Sequence, residues 1–370
     1  MAQARRAQPT HPARAGSPAR SRLARVVQQF ELLFLPGLDA VVAAEAEAVL
    51  GTSVRPVPGR NDSVLVDFDG RWNRLLALRT PVAVFAVLTF AVPRPKSLLS
   101  GEYFPRIVEV VERVRDLDRD GPPATSFRFE AAGAGSSVFT RLATQLSEAT
   151  GLSHHPQEGD VVLRFRRSVN LDGWDVLVRL STRPLSDRRW RARNFPGAVN
   201  ATIAAAITLL SQPKASDRVV NLMCGSGTLL IERLLAGPAR TALGVDVDER
   251  ALEACAENVT AAGLNGRCRL LRADATKTDW LDYGPFDLIM ADPPWGDLVG
   301  DHARNEALHL ALLERAREAA APGARLAVLT HEVRQMERCL RRTGDLWVLR
   351  DVIRVFQKGH HPRIYLLRPV

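Results

Sequence analysis

The chain has 370 residues, of which 46% are apolar, and a formal net charge of +9. Such a length buries a core in each of two or three domains, and such a composition excludes a disordered or fibrous chain. The longest apolar run, residues 82–92, is too short to span a bilayer. Four cysteines (Cys224, Cys255, Cys268 and Cys339) without CxxC spacing fit neither a disulfide framework nor a zinc site. They point to a reducing compartment, the cytoplasm.

Residues 1–27 contain Arg5, Arg6, Arg14, Arg20, Arg22 and Arg25 and no acidic residue. With their Pro, Ala and Ser content they read as a disordered basic arm. The same composition is compatible with a mitochondrial transit peptide, which keeps that location open as an alternative. From 28 to 100 the chain alternates. "FELLFLPGLDAVVAAEAEAVLG" reads as strand, turn and alanine-rich helix closed by Gly51. "SVLVDFDG" reads as a strand, "RWNRLLALRT" as a short helix and "PVAVFAVLTFAV" as another strand, which makes a small α+β unit. From 101 to 183 the pattern predicts helix ("FPRIVEVVERVRDL"), strand ("TSFRFEAAG"), helix ("VFTRLATQLSEATG", closed by Gly151) and two strands ("DVVLRFRRS", "WDVLVRLST"). That order suits a compact RNA-binding module.

An arginine-rich linker over 184–193 follows, within "RPLSDRRWRAR". Arg183, Arg188, Arg189, Arg191 and Arg193 surround Trp190. Guanidinium groups interleaved with an aromatic ring suit phosphate pairing and base stacking; a solvated linker face is the alternative. From 194 the texture changes. "FPGAVNATIAAAITLLSQ" predicts a helix starting at Pro196-Gly197. Near-continuous apolar strands then alternate with amphipathic helices: "DRVVNLM", "TALGVDV", "CRLLRAD", "FDLIMAD" and "ARLAVLT". Such strands indicate a parallel sheet covered on both faces. "LWVLRDVIRVFQ" and "RIYLLRPV", joined by "KGHHP", predict a closing hairpin, so the last strand runs antiparallel to its neighbour.

The chemistry-bearing residues fall at the ends of those strands. In "VVNLMCGSGTLLIE", Gly225 and Gly227 allow a tight turn between strand and helix, whose N-terminus offers unpaired N–H groups. Asp246 in "GVDVDER" ends the next strand, about 20 residues on, where a carboxylate meets ribose hydroxyls. Leu230 stands where a dinucleotide fingerprint needs its third glycine, which disfavours a pyrophosphate cofactor and favours a nucleoside one, S-adenosylmethionine. Asn221, Met223, Cys224, Ser226 and Thr228 flank the turn, and Val247 follows Asp246. Asp274, with Ala275 beside it, is placed to accept the adenine amino group; a helix cap is its alternative. "ADPPWGD" ends the fourth strand with Asp292, Pro293, Pro294 and Trp295.

"DPPW" resembles the (Asp/Asn/Ser)-Pro-Pro-(Tyr/Phe/Trp) motif of amino-group methylating enzymes, and residues 194–370 resemble a class I S-adenosylmethionine-dependent methyltransferase. "RARNFPGAVNATIAAA", "NLMCGSGTLLIE" and "ADPPWG" together resemble the THUMP-containing guanine-N2 RNA methyltransferases, as does "FELLFLPGLDAVVAAEAEAVLG" at the N-terminus. The resemblance spans about residues 30–370. It implies an α/β fold: a Rossmann-like seven-stranded domain with an antiparallel last strand, preceded by a ferredoxin-like unit (28–100) and a THUMP-like RNA-binding domain (101–183). No diagnostic motif marks the THUMP-like stretch, and Trp295 replaces the family's usual Tyr.

The same resemblance implies S-adenosylmethionine as cofactor, RNA as partner (tRNA ahead of rRNA) and Asn200 and Pro196 against the cofactor, with helix capping their alternative. Hydrogen bonds from a guanine amino group to the Asp292 carboxylate and Pro293 carbonyl align its lone pair with the methyl group. The paired prolines fix that carbonyl, Trp295 stacks on an extruded base, and Gly296 leaves room for it. No metal and no membrane are expected, and a monomer is. His154-His155 and His360-His361 read as solvated loop residues, with RNA contact by His361 and the hairpin loop the alternative, and Cys224 reads as packing. Methylation of DNA adenine or of a protein glutamine, and a catalytically silent RNA-binding protein, are the competing readings.

Overall fold

A computed structural model of the chain describes residues 28–117, 121–294 and 302–370, the side chains of 302–304 excepted. The expected basic arm, 1–27, lies outside the described residues. The N-terminal half runs β1 (Gln28–Leu33), α1 (Asp39–Leu50), β2 (Val54–Pro56), β3 (Ser63–Phe68), β4 (Ala83–Phe90), α2 (Phe104–Arg115), β5 (Ser126–Ala131), α3 (Ser137–Thr150), β6 (Ser153–His154), β7 (Val161–Arg167) and β8 (Trp174–Arg179). Gly51 and Gly151 close α1 and α3 in the left-handed conformation, φ 75° and 71°, as their sequence positions indicate. "RWNRLLALRT" forms a 3₁₀ turn, Trp72–Ala77.

These strands form one sheet in the order β2-β3-β1-β4-β8-β7-β5-β6. β4 pairs antiparallel with β8 from Phe85↔Arg179 to Phe90↔Trp174. The boundary expected at residue 100 therefore falls inside a continuous sheet, because the last strand of the first unit pairs with the last strand of the second.

The C-terminal half runs α4 (Ala201–Leu210), β9 (Arg218–Leu222), α5 (Thr228–Leu235), β10 (Thr241–Asp246), α6 (Glu249–Ala261), β11 (Arg269–Arg272), β12 (Phe286–Ala291), α7 (His302–Glu318), β13 (Ala320–Thr330), α8 (Val333–Arg342), β14 (Trp347–Arg354) and β15 (Arg363–Pro369). Its seven strands lie in the order β11-β10-β9-β12-β13-β15-β14. β15 is antiparallel to both β13 and β14, which is the closing hairpin expected from sequence. Val219, Val220, Leu288, Ile289 and Met290 are fully buried, so both sheet faces are covered. The helix expected from Pro196 begins at Ala201 instead. Gly197 sits at φ 78°, outside helical space, and Asn200 supplies the cap.

A buried carboxylate joins the halves. Glu232 on α5 is 1% exposed. It accepts from Arg79 Nε of the N-terminal half at 2.7 Å and from Arg188 Nε of the linker at 2.9 Å. Arg188 also donates to the Arg79 carbonyl at 2.6 Å, and Glu45 on α1 accepts the N–H groups of Arg79 and Thr80. Removing one partner of such a group strands the other's charge, at about 3–5 kcal/mol. Glu232→Ala is therefore expected to lower unfolding stability by roughly that amount in denaturant titration. Arg193→Ala, which breaks a largely exposed pair, is expected to change it by under about 1 kcal/mol. Equal effects would show that the junction does not depend on Glu232.

Candidate active site

The strand order reverses at β9, with β10 on one side and β12 on the other, and ligands of open parallel sheets bind beyond the carboxyl ends at such a point. Asn221, fully buried near the end of β9, donates from Nδ2 to the carbonyls of Leu222 and Met290, both at 3.3 Å, while its Oδ1 has no partner. The chain then turns through Met223 (φ 53°), Gly225 (φ 53°) and Gly227 (φ 84°) into α5. A Cβ on Gly227 would lie 2.4 Å from Cys255 Sγ, so both conformation and space require glycine there. Ser226 Oγ is buried without a partner.

Asp246 at the end of β10 latches this turn. Its Oδ2 accepts the Gly225 N–H at 2.7 Å and its Oδ1 the Asp248 N–H at 3.0 Å. Each carboxylate oxygen keeps a lone-pair direction for hydroxyl donors. Val247 beside it is 66% exposed, an apolar surface at a strand end. Asp274, past β11, accepts the Thr276 N–H at 2.9 Å and hydroxyl at 2.7 Å. Partial burial raises its carboxyl, but those bonds outweigh it and hold the group below the ordinary carboxylate range. The Ala275 carbonyl accepts the Trp280 indole N–H at 3.2 Å, which fixes the loop.

Asp292 follows β12 directly. As a residue it is half-buried, yet its Oδ1 is shut off from solvent and has no hydrogen-bond partner. Burial pushes the carboxyl up to about 7. Pro293 is buried and Pro294 half-buried. Trp295 and Gly296 lie outside the described residues. Three orphaned buried oxygens thus sit on adjacent strand ends and loops: Asn221 Oδ1, Ser226 Oγ and Asp292 Oδ1. Native interiors rarely tolerate such groups without a ligand to meet them. Together with the latched glycine turn and exposed Val247, they fit a nucleoside cofactor bearing amino and carboxylate groups.

Other expected residues have structural duties. Asn200 Oδ1 accepts the Thr202 N–H and hydroxyl, both at 2.8 Å, so it caps α4. Cys224 is buried; its contact with the Cys255 thiol and its burial push its own thiol up, which suits packing. Among the linker arginines, Arg188 is buried and spent on Glu232, and Trp190 beside it is 7% exposed, so neither offers an open surface here. Arg191 donates to the Val199 carbonyl at 2.9 Å and to Thr228 Oγ1 at 3.0 Å, bracing the start of α5. Arg193 pairs with Glu257 at 2.7 Å. Arg183 and Arg189 are exposed, Arg183 lying 3.7 Å from Asp187.

Two further groups escaped sequence reading because their meaning depends on distant partners. Asn258 on α6 accepts the Arg193 N–H at 2.9 Å and donates to the carbonyls of Arg193 and Ser226, both at 3.1 Å, tying linker to cofactor turn. His309, buried on α7, bridges the Asn305 carbonyl at 2.7 Å and Thr330 Oγ1 at 3.0 Å, and burial lowers its proton affinity. It holds the end of β13, the strand beside Asp292. A cleft of about 950 Å³ lies elsewhere, between the linker, the N-terminal half and the ends of α5 and α6 at Leu235 and Ala262.

The antiparallel β15, inserted between β13 and β14 beyond a glycine turn that has no third glycine, separates this sheet from the dinucleotide-binding folds. Fold and site together define a class I S-adenosylmethionine-dependent methyltransferase. Residues 188–363 match the family described as UPF0020: RMKL-like, methyltransferase domain. A tRNA (guanine(6)-N2)-methyltransferase of Thermus thermophilus is 31% identical over 251 residues, covering 66% of this chain and 72% of that one. One of Methanocaldococcus jannaschii is 24% identical over 354 residues, covering 80% and 89%. The crystal structure of TrmN from Thermus thermophilus superposes with a TM-score of 0.71 at 25% identity, over 93% of this chain and 100% of that one. SMU.472, a methyltransferase-like structure complexed with SAH, superposes at 0.65 with 16% identity, covering 92% and 97%, and supports the fold. The chain belongs to the tRNA guanine-N2 methyltransferase family.

Gly227→Ala is expected to weaken S-adenosylmethionine binding by at least about tenfold in titration calorimetry, because the added methyl must displace Cys255 of α6 and position 227 is in left-handed space. Adding Cys255→Ala is expected to recover part of the loss by relieving the contact while the backbone cost stays. Unchanged affinity in the single variant would show that the turn is not part of the cofactor site.

Proposed function

We propose that this protein transfers a methyl group from S-adenosylmethionine to the N2 amino group of a guanosine in tRNA, with an rRNA guanosine as the runner-up substrate. The observation that carries the assignment of roles is Asp292: a buried carboxyl oxygen without a protein partner at the switch point of the sheet. Asn221, the 225–227 turn, Asp246, Val247, Asp274 and Ala275 hold the cofactor. When bound, S-adenosylmethionine supplies a methyl group on a positively charged sulfur.

The guanine amino group is a poor nucleophile because its lone pair is delocalised into the ring. Asp292 Oδ1 and the Pro293 carbonyl accept its two N–H bonds, which orients the lone pair and raises its electron density. Pro293 and Pro294 cannot donate N–H bonds and hold φ near one value, so that carbonyl does not turn away. As the N–C bond forms, nitrogen must lose a proton, and a carboxylate whose proton affinity burial has raised toward neutrality can take it. Trp295 is the stacking surface for the extruded base. Arg183 and Arg189 remain candidates for RNA phosphates, and location in the cytoplasm follows the tRNA reading.

The test is methyl transfer from labelled S-adenosylmethionine to total tRNA and, separately, rRNA from cells lacking the gene, with nucleosides identified by mass spectrometry. Label in N2-methylguanosine, lost at least about a hundredfold in Asp292→Ala, is the expected result. Label in no RNA despite cofactor binding would overturn it. The pH profile gives an independent check. The acceptor form is the carboxylate, so the transfer rate of wild type should rise with pH through about 7. Stability runs the other way. A carboxyl raised from 3.8 to about 7 on folding binds its proton more tightly in the folded state, so stability falls as pH climbs between those values. At pH 8, Asp292→Asn should therefore be more stable than wild type, by on the order of 2–4 kcal/mol, while inactive. A less stable Asn variant would mean that the carboxylate is compensated.

A further inference from the structure

Beyond β14, at the same edge as Asp292, an aromatic side chain is left open to solvent. Phe356 is 43% exposed, and its ring lies 5.0 Å from that of His361 at 51°. Exposed phenylalanines on soluble proteins are ordinary when scattered, but this one stands on backbone fixed from three sides. Its N–H donates to the Pro36 carbonyl at 3.0 Å, and the preceding Val355 N–H to the Pro362 carbonyl at 3.0 Å. Gly37 packs so closely that a Cβ would lie 1.9 Å from the Arg354 carbonyl oxygen. The hairpin tip turns through Lys358 (φ 48°) and Gly359 (φ 83°), closed by reciprocal bonds between Gln357 and His360 at 3.0 and 2.9 Å. Two successive positive φ angles make this a type I′ turn, and a lysine in that conformation is uncommon.

Between this hairpin and the N-terminal half lies a cleft of about 500 Å³, lined by Pro36, Asn61, Asp62, Arg354, Phe356 and His361. Arg354, Lys358, His360 and His361 are exposed around it. The one carboxylate in the lining, Asp62, is neutralised by Arg60 at 2.8 Å. Four strands, β12, β13, β15 and β14, stand side by side at this edge, so three inter-strand spacings, roughly 14 Å, separate Asp292 from the cleft. His331, at the end of β13, and His360 face each other between them with ring centroids 5.6 Å apart. An aromatic pair for stacking, cations for phosphates and an amide for a base edge are the side chains that grip an unstacked nucleotide.

We infer that this cleft is a subsite for a nucleotide flanking the methylated guanosine, with Phe356 and His361 stacking its base and Arg354 and Lys358 taking its phosphates. The inference rests on the reading of RNA as substrate. At a stacked rise of about 3.4 Å per nucleotide, the distance from Asp292 corresponds to a residue at most about four positions away. The cleft thus reads the immediate neighbourhood of the target rather than a remote arm of the RNA.

The experiment compares wild type, Phe356→Ala, Phe356→Trp and Arg354→Ala in two assays with the full chain: equilibrium binding of fluorescently labelled tRNA, and steady-state methyl transfer. Phe356→Ala is expected to raise the Kd and the KM for tRNA at least about fivefold, as loss of one base–aromatic stack does, with the KM for S-adenosylmethionine unchanged. Phe356→Trp should restore wild-type values, which a packing role would not grant to a larger ring. Arg354→Ala should flatten the salt dependence of tRNA binding by about one counterion. Methyl transfer with tRNA binding indifferent to Phe356 would overturn the subsite alone. Phe356-dependent binding without methyl transfer would overturn the catalytic reading alone, and no binding of tRNA by wild type would overturn both.

Discussion

Glu232 is the point on which the two halves turn. A carboxylate that is 1% exposed is tolerable only if its charge is met, and here it is met by guanidinium groups from two different places, Arg79 in the N-terminal half and Arg188 in the linker. Because those groups are planar forks, the contact sets angle as well as distance. Two further bridges carry the constraint forward from the linker: Arg191 reaches Thr228, and Asn258 joins Arg193 to the Ser226 carbonyl. The cofactor turn is therefore positioned by the linker as well as by its own sheet, and through the linker by the N-terminal half.

That division of labour explains where polar groups are satisfied and where they are not. At the amino edge of the catalytic sheet, Asp217 is paired with both Arg233 and Arg325, although Arg233 Nε is buried without a partner. At the carboxyl edge, Asn221, Ser226 and Asp292 keep oxygens without partners. A protein gains no stability from such atoms; each costs desolvation that a bound donor can recover. Three orphaned oxygens close together on neighbouring strand ends are the physical mark of a site, and they fall on the edge that parallel-sheet topology selects.

Much of this was legible locally. The parallel strands, the hairpin that inserts β15, the glycine turn and the proline corner all follow from runs of neighbouring residues, and each stands where the sequence places it. What was not legible depends on partners far along the chain. Arg188 and Trp190 look like an RNA-facing cluster until Glu232, 44 residues on, is seen to consume the arginine. Arg79 lies 153 residues from the same carboxylate. Three-residue β2 and two-residue β6 are too short to show alternation. The continuity of the first sheet hides in the pairing of β4 with β8, whose nearest members are separated by most of a domain. Asn200 illustrates the opposite case: capping and cofactor contact were both open, and the bond from Thr202 shows the cap.

The cleft of about 950 Å³ bears on how an RNA can use this molecule. It opens where α5 and α6 end, so it faces helix carbonyls, which disfavour phosphate, and its arginines must first offset that field. Arg183 has a nearby carboxylate in Asp187, which further reduces what it offers. At the carboxyl edge of the sheet the helices begin, their N–H ends favour anions, and Asp292 stands at the end of β12. With Asp292 in its proposed role, the carboxyl edge is the entry for the reacting nucleotide, and the cleft near Leu235 is left to other parts of the RNA.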